Sequence, residues 1–442
     1  MKLILLALVA ALMQAALSFA PQPGIGSGPA GTALACGFLL VAGFLAGEVL
    51  KRLGLPRLTG YLLLGLVAGP RALALVTEPM VRNLKLFNGV AIALIALTAG
   101  SDIDLRALRP LLRSVLAICL IGVLGTAACI ALAAYAGREW LPFMTGLPPA
   151  QSAAIALVLG LTMAAQSPAV VVALRDELQA DGPLTRTVLA VVVLSDLMLI
   201  LFFAAASLWA KSAMGVAADA GDTAARLGWE ILGSGVAGIG VGVLLALYLT
   251  KILRGGALFV ILVCFVIAQI GNRLDFDPLL VALAAGILIR NGSRAADRLQ
   301  REINAASLPV YVAFFSLTGA SLELAAVAQV GVAALALVVT RAVGFLALTR
   351  LGARLGGAPT VVERFAGIGM LPQAGLALAL AILFRRTFPE LREAAVLVVV
   401  GVALNELVGP VLYRLAIVRS GEAQRLHRRD VESISRQSDS AA

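Results

Sequence analysis

Leu184-Thr-Arg-Thr-Val-Leu-Ala-Val-Val-Val-Leu-Ser195-Asp196-Leu197-Met198 begins a run that stays apolar as far as Trp209, with one carboxylate near its middle. At about 1.5 Å rise per residue, a helix over 184–209 reaches beyond the roughly 30 Å of a bilayer's hydrocarbon core. The stretch therefore reads as a membrane span, with Asp196 deep inside it. A carboxylate at that depth costs about 2.5–3.5 kcal/mol on insertion scales unless it is neutralised, hydrated or paired. A proton or a bound cation can each neutralise it, and the two ligands compete for the same oxygens. Competition of that kind is the elementary requirement for exchange.

The rest of the chain has the same character. Of 442 residues, 60% are hydrophobic and 14% charged, against about a quarter charged in a soluble domain, which excludes an ordinary soluble enzyme. The alternation expected of a transmembrane β-barrel is missing, so the fold class is an all-α polytopic membrane protein. Thirteen spans are expected, at 32–51, 58–76, 86–101, 113–136, 151–174, 184–209, 228–251, 256–273, 278–291, 307–323, 327–349, 364–385 and 394–416. Residues 1–20 form a further apolar run ending in Ser18-Phe19-Ala20, either a cleaved signal peptide or a retained extra helix. Residues 420–442 are polar and are expected to be a disordered cytoplasmic tail.

The formal net charge of +10 comes from Arg and Lys placed singly or in pairs beside span ends. That is a topology signal, not a nucleic-acid surface. The loops beginning with Lys51-Arg52 carry the excess, which makes them and the C-terminus cytoplasmic in a bacterial-type inner membrane. Cys36, Cys119, Cys129 and Cys264 lie in apolar spans without CxxC spacing, and the single histidine, His427, lies in the tail. No catalytic residue set, resident metal or cofactor is expected.

The halves resemble each other. Arg52-Leu-Gly-Leu-Pro56 and Arg273-Leu-Asp-Phe-Asp-Pro278 open the second and ninth spans; Leu97-Thr-Ala-Gly-Ser-Asp-Ile-Asp-Leu105 and Leu317-Thr-Gly-Ala-Ser-Leu-Glu-Leu324 end the third and tenth. Corresponding spans are seven apart, an odd number, so two six-helix repeats enter from opposite sides with 228–251 as connector. Two corresponding spans are broken by proline: Gly160-Leu-Thr-Met-Ala-Ala-Gln-Ser-Pro168 and Gly367-Ile-Gly-Met-Leu-Pro372-Gln-Ala-Gly375. Proline removes an amide donor and leaves carbonyls free, which a membrane tolerates only beside a polar cavity or inside protein.

Oxygens of Ser195, Thr162, Gln166, Ser167 and Gln373, with Asp196 and the freed carbonyls, are candidates to replace part of a monovalent cation's hydration shell. Asn405-Glu406 occupies in the second repeat the place of Ser195-Asp196 in the first. Arg341 cannot realistically deprotonate, and an ion pair with Glu406 is expected for it. Asp102, Asp104, Asp275, Asp277 and Glu48 lie near span ends, where solvated interfacial charge is the default.

Taken in order, residues 52–70, Gln166-Ser-Pro-Ala-Val-Val171, Ser195-Asp196, Phe314-Phe-Ser-Leu-Thr-Gly-Ala320 and Gly369-Met-Leu-Pro-Gln-Ala-Gly-Leu376 resemble the monovalent cation/proton antiporter 2 family, the Kef-type and sodium/proton exchanger-like transporters, over residues 32–418. The resemblance implies a homodimer with a dimerisation domain and a six-helix core in which two broken helices cross beside the aspartate matching Asp196. It implies exchange of Na+ or K+ for H+ by alternating access. A single aspartate preceded by Ser195, in place of an acidic pair, suits electroneutral exchange. The rival readings are a cation-coupled organic-solute symporter on the same plan and a non-transporting ion sensor or scaffold.

Overall fold

The computed structural model describes residues 2–18, 29–215, 220–252, 255–274, 276–322, 327–373, 375–388 and 391–424. Phe19, Ala20, Asp275, Glu323, Leu324, Ala374, His427 and the tail beyond Gln424 lie outside the described residues. All the regular structure among the described residues is helical: α1 (Lys2–Ser18), α2 (Pro29–Arg52), α3 (Arg57–Ala68), α4 (Glu78–Asp102), α5 (Leu105–Leu108), α6 (Leu112–Ala117), α7 (Gly125–Ala136), α8 (Pro149–Ala164), α9 (Pro168–Leu178), α10 (Pro183–Ala213), α11 (Ala220–Lys251), α12 (Gly256–Leu274), α13 (Pro278–Gly292), α14 (Ala296–Ala320), α15 (Val327–Leu355), α16 (Thr360–Gly369), α17 (Gly375–Thr387) and α18 (Arg392–Ser420). A seven-residue π turn, Ile118–Leu124, joins α6 to α7. An apolar chain in lipid satisfies its backbone internally, and the helix does so within one segment.

Among the described residues, eight helical stretches are long and apolar enough to cross a membrane, nine if the bent α4 is one span. Several of the expected thirteen spans are instead short helices. The span expected at 58–76 stops as helix at Ala68, after which the chain doubles back through hydrogen bonds from Leu73 N to Val67 O and from Val76 N to Ala68 O. Prolines open α8, α9, α10 and α13, where a missing N–H costs least, while Pro309 and Pro410 lie inside α14 and α18.

The chain forms two compact units. Unit 1 is Met1–Leu105 with Gly221–Glu323, and unit 2 is Arg106–Ala220 with Leu324–Ala442. Each repeat read from the sequence thus gives three of its six spans to each unit. In unit 1, α4 and α13 meet backbone to backbone, since a Cβ added at Gly100 or Gly286 would strike the other helix. Helix α1 packs on α2, with Leu6, Val9, Ala10, Met13 and Leu17 against a cluster that includes Ala35, Phe38 and Leu39. Lys2 Nζ lies 2.7 Å from Glu48 Oε2, and Arg57 contacts the other carboxylate oxygen.

Among the described residues, the interfacial acids are engaged instead of simply solvated. Beside Glu48, Asp277 accepts from Leu279 N at 2.8 Å as the cap of α13, Asp102 accepts from Gln300 at 2.7 Å, and Asp104 faces Arg290. The start of the expected tail also differs. After Gly421 ends α18 in the left-handed region (φ 72°), Glu422 is buried against the turn between α9 and α10.

Candidate functional site

The proline-bearing spans of unit 2 are interrupted where expected. Helix α8 ends at Ala164, Ala165 is extended (φ −58°, ψ 143°), and α9 starts at Pro168 with Ser167 as its cap. Helix α16 ends at Gly369, Pro372 lies in the interruption, and Gly375 opens α17. A helix end leaves carbonyls without intrahelical partners and carries partial negative charge. Here two such ends are collected by one side chain.

That side chain is Arg341, from α15, fully buried. Its Nε donates to Met163 O at 2.8 Å, one terminal nitrogen to Leu371 O at 2.8 Å, and the other to Ala165 O at 3.0 Å and Met370 O at 3.1 Å. The guanidinium stacks 4.8 Å from the centroid of Phe345. The expected ion pair with Glu406 is therefore not formed. The planar fork is used by four carbonyls, two from each interruption, and both Glu406 oxygens are buried with no hydrogen-bond partner among the described residues. Carbonyls carry no side-chain signature, so nothing in the sequence pointed to this arrangement.

The two glutamines within the interruptions are held in matching ways. Ser195, on α10, donates to Gln166 Oε1, with Val192 O a second acceptor at 2.9 Å, while Gln166 Nε2 donates to Ala164 O at 2.9 Å. In the other repeat Asn405, on α18, donates to Gln373 Oε1 at 2.9 Å and to Gly401 O at 2.9 Å, and Gln373 Nε2 donates to Met163 O at 3.1 Å. In each repeat the residue preceding the acid binds the glutamine of the interruption. Asp196 itself is buried, at 2% exposure. Thr162 and Ser167 are buried too, but partly committed: Thr162 donates back to Val158 O at 2.7 Å, and Ser167 Oγ accepts from Val170 N at 3.3 Å. Gly409 lets α18 touch the second interruption, since a Cβ there would lie 2.8 Å from Pro372 Cα.

The family model described as sodium/hydrogen exchanger, transmembrane, matches residues 37–416. The chain belongs to the sodium/hydrogen exchanger family. This exchanger-family protein is 26% identical over 353 residues to the Na(+)/H(+)-K(+) antiporter GerN of Bacillus cereus, covering 78% of this chain and 85% of that one. Its fold matches solved structures of the sodium proton antiporter MjNhaP1 of Methanocaldococcus jannaschii: one with TM-score 0.69 at 15% identity, covering 89% of this chain and 98% of that one, and one determined at pH 8 with TM-score 0.64 at 16% identity, covering 88% and 98%. It is thus a multi-pass membrane protein of a monovalent cation/proton antiporter family.

Proposed function

We propose that this protein exchanges Na+ or K+ for H+ one for one, with Asp196 as the shared site and access alternating between the two sides of the membrane. The observation that carries the reading is the contact from Ser195 to Gln166, which sets the helix bearing the carboxylate against the first interruption. The ions are those of the Na(+)/H(+)-K(+) antiporter GerN and the sodium proton antiporter MjNhaP1.

Ser195 has one hydroxyl proton and two acceptors in reach. With Asp196 protonated, that proton bridges to Gln166 Oε1. When a cation replaces the proton, the hydroxyl turns to Val192 O, and a Ser195 lone pair and Gln166 Oε1 become available to the ion. Thr162 has already given its proton to Val158 O, so its lone pairs also remain for a ligand, and Ser167 keeps one. Gln373, tied at both ends, belongs to the frame around the site. Arg341 holds a fixed charge that takes no part in proton counting. One titrating carboxylate per cycle makes exchange electroneutral. We further assign the protein to a bacterial-type inner membrane as a homodimer, with its C-terminus cytoplasmic, on the distribution of basic loops and the family plan.

The test is Asp196→Asn in everted vesicles, with Li+, Na+, K+ and Rb+ compared across pH. The variant should reach the membrane and lose cation-induced pH changes, and retained exchange would sink the assignment. Wild-type exchange should be unchanged by an imposed membrane potential; clear voltage dependence would refute one-for-one stoichiometry.

A further inference from the structure

Beyond α18, the chain makes a contact the transport chemistry above does not use. Glu422 is buried at 1% exposure, and its carboxylate accepts from Leu184 N at 2.7 Å, Thr185 N at 2.8 Å and Thr185 Oγ1 at 2.6 Å, all at the first turn of α10. Two backbone bonds flank it, from Asp181 N to Glu422 O at 3.2 Å and from Gln424 N to Leu178 O at 2.8 Å. Gly182 admits the carboxylate, since a Cβ there would collide with it. Within the turn, Arg186 holds Asp181 with two hydrogen bonds, at 2.8 and 3.0 Å. A carboxylate facing free amides at a helix N-terminus is well matched in charge and geometry.

The clamp occupies one corner of a closed path. From the interruption at Gln166, α9 runs 11 residues to the clamped turn, and α10 runs back without a break to Ser195, which closes on Gln166. A helix is stiff along its axis, so a shift or rotation at Leu184 is carried about 20 Å to Asp196. We infer that Glu422 is a positioning residue for cation exchange, holding α10 in the register that keeps Ser195 on Gln166. This rests on the assignment of Asp196 as the exchange site.

The test compares Glu422→Gln, Thr185→Val, a chain ending at Gln424 and a chain ending at Ser420, each expressed as the full membrane protein up to its end point. Expected in everted vesicles is a rise of fivefold or more in apparent cation KM for Glu422→Gln, with a displaced pH profile and a maximal rate within twofold of wild type. Thr185→Val, which removes one of three bonds, should move both quantities in the same direction by less. The chain ending at Gln424 should match wild type, and the one ending at Ser420 should resemble Glu422→Gln. Unchanged KM and pH profile in Glu422→Gln and Thr185→Val, with only lowered thermal stability, would make the clamp purely structural and overturn the inference. If Glu422→Gln does not accumulate, Thr185→Val decides alone. Hydrogen exchange of the purified protein separates the two readings: faster exchange at amides 184–196 in the variants, beside a wild type that moves no cations, condemns the exchange assignment. Wild-type exchange with variant KM unmoved condemns the positioning role.

Discussion

Arg341 and Glu406 are the two buried charges for which the structure makes a quantitative claim opposed to the obvious one. Arg341→Gln replaces a fork that reaches four carbonyls with one shorter amide; Met163 O keeps its bond from Gln373, and at least one of Ala165 O, Met370 O and Leu371 O is left without a donor. Each buried group left unsatisfied costs about 1–3 kcal/mol, so the substitution should lower stability by at least about 1–3 kcal/mol. Glu406→Gln removes no hydrogen bond among the described residues and keeps the shape, so its effect should stay within about 1 kcal/mol. The decisive quantity is the coupling between them, measured by reversible unfolding of wild type, both single variants and the double variant in mixed micelles. The carbonyl arrangement predicts coupling below about 1 kcal/mol. Were the two residues an ion pair, breaking it from either side would cost about 3–5 kcal/mol, and the double variant would recover much of that loss. A coupling of 3 kcal/mol or more therefore refutes the assignment of Arg341 to the two interruptions.

Ser195→Ala removes a hydrogen bond worth about 1–1.5 kcal/mol, so apparent cation KM should rise about tenfold while exchange persists; an unmoved KM excludes the serine from the site. Gly409→Ala puts a methyl group 2.8 Å from Pro372 Cα, where backbone has to yield, and should cost about 1–3 kcal/mol, whereas Gly235→Ala meets nothing within 4 Å and should be neutral or stabilising in the same unfolding assay. Because α1 is packed on α2 and tied through Lys2 to Glu48, intact-mass measurement of the purified protein should find residues 2–18 present; a species beginning near Pro21 would identify α1 as a leader.

Much of the fold was legible because lipid imposes few solutions. A long apolar run has to be helix, and a proline in such a run can interrupt it, as at Pro168 and Pro372, whereas α14 and α18 pass through Pro309 and Pro410 without a break. Span lengths were less legible, because Gly69-Pro70 and the interruptions divide hydropathy runs that look continuous by composition. The partner of Arg341 was not legible at all. Hydropathy and charge count side chains, and the natural partner for a buried arginine in that count is an acid, whereas the groups it found are main-chain carbonyls at the two helix interruptions. Glu422 was missed for a related reason. In a polar stretch it looks like a solvated tail residue, and its partners are amides 237 and 238 positions away.

The two half-sites are alike in plan, yet they differ in how many protons they can distribute. Asn405 has two amide hydrogens and two acceptors, Gln373 Oε1 and Gly401 O, so both bonds are made at once and nothing is left to choose. Ser195 has one hydrogen for Gln166 Oε1 and Val192 O, so one acceptor is always without it. The first arrangement has a single satisfied state; the second has two states of similar bonding that differ in which oxygens face outward from the hydroxyl. With Asp196 as the proposed exchange site, a cation beside it would favour the state with lone pairs turned toward it, and a protonated Asp196 would not. The repeat carrying Asn405 is therefore suited to hold the crossing of the interruptions in place, and the repeat carrying Ser195 to respond to what is bound. Ser195→Asn separates these roles: by copying the fixed arrangement into the first repeat it should keep stability within about 1 kcal/mol while raising apparent cation KM, and a variant with unaltered KM would show that the choice open to Ser195 has no bearing on binding.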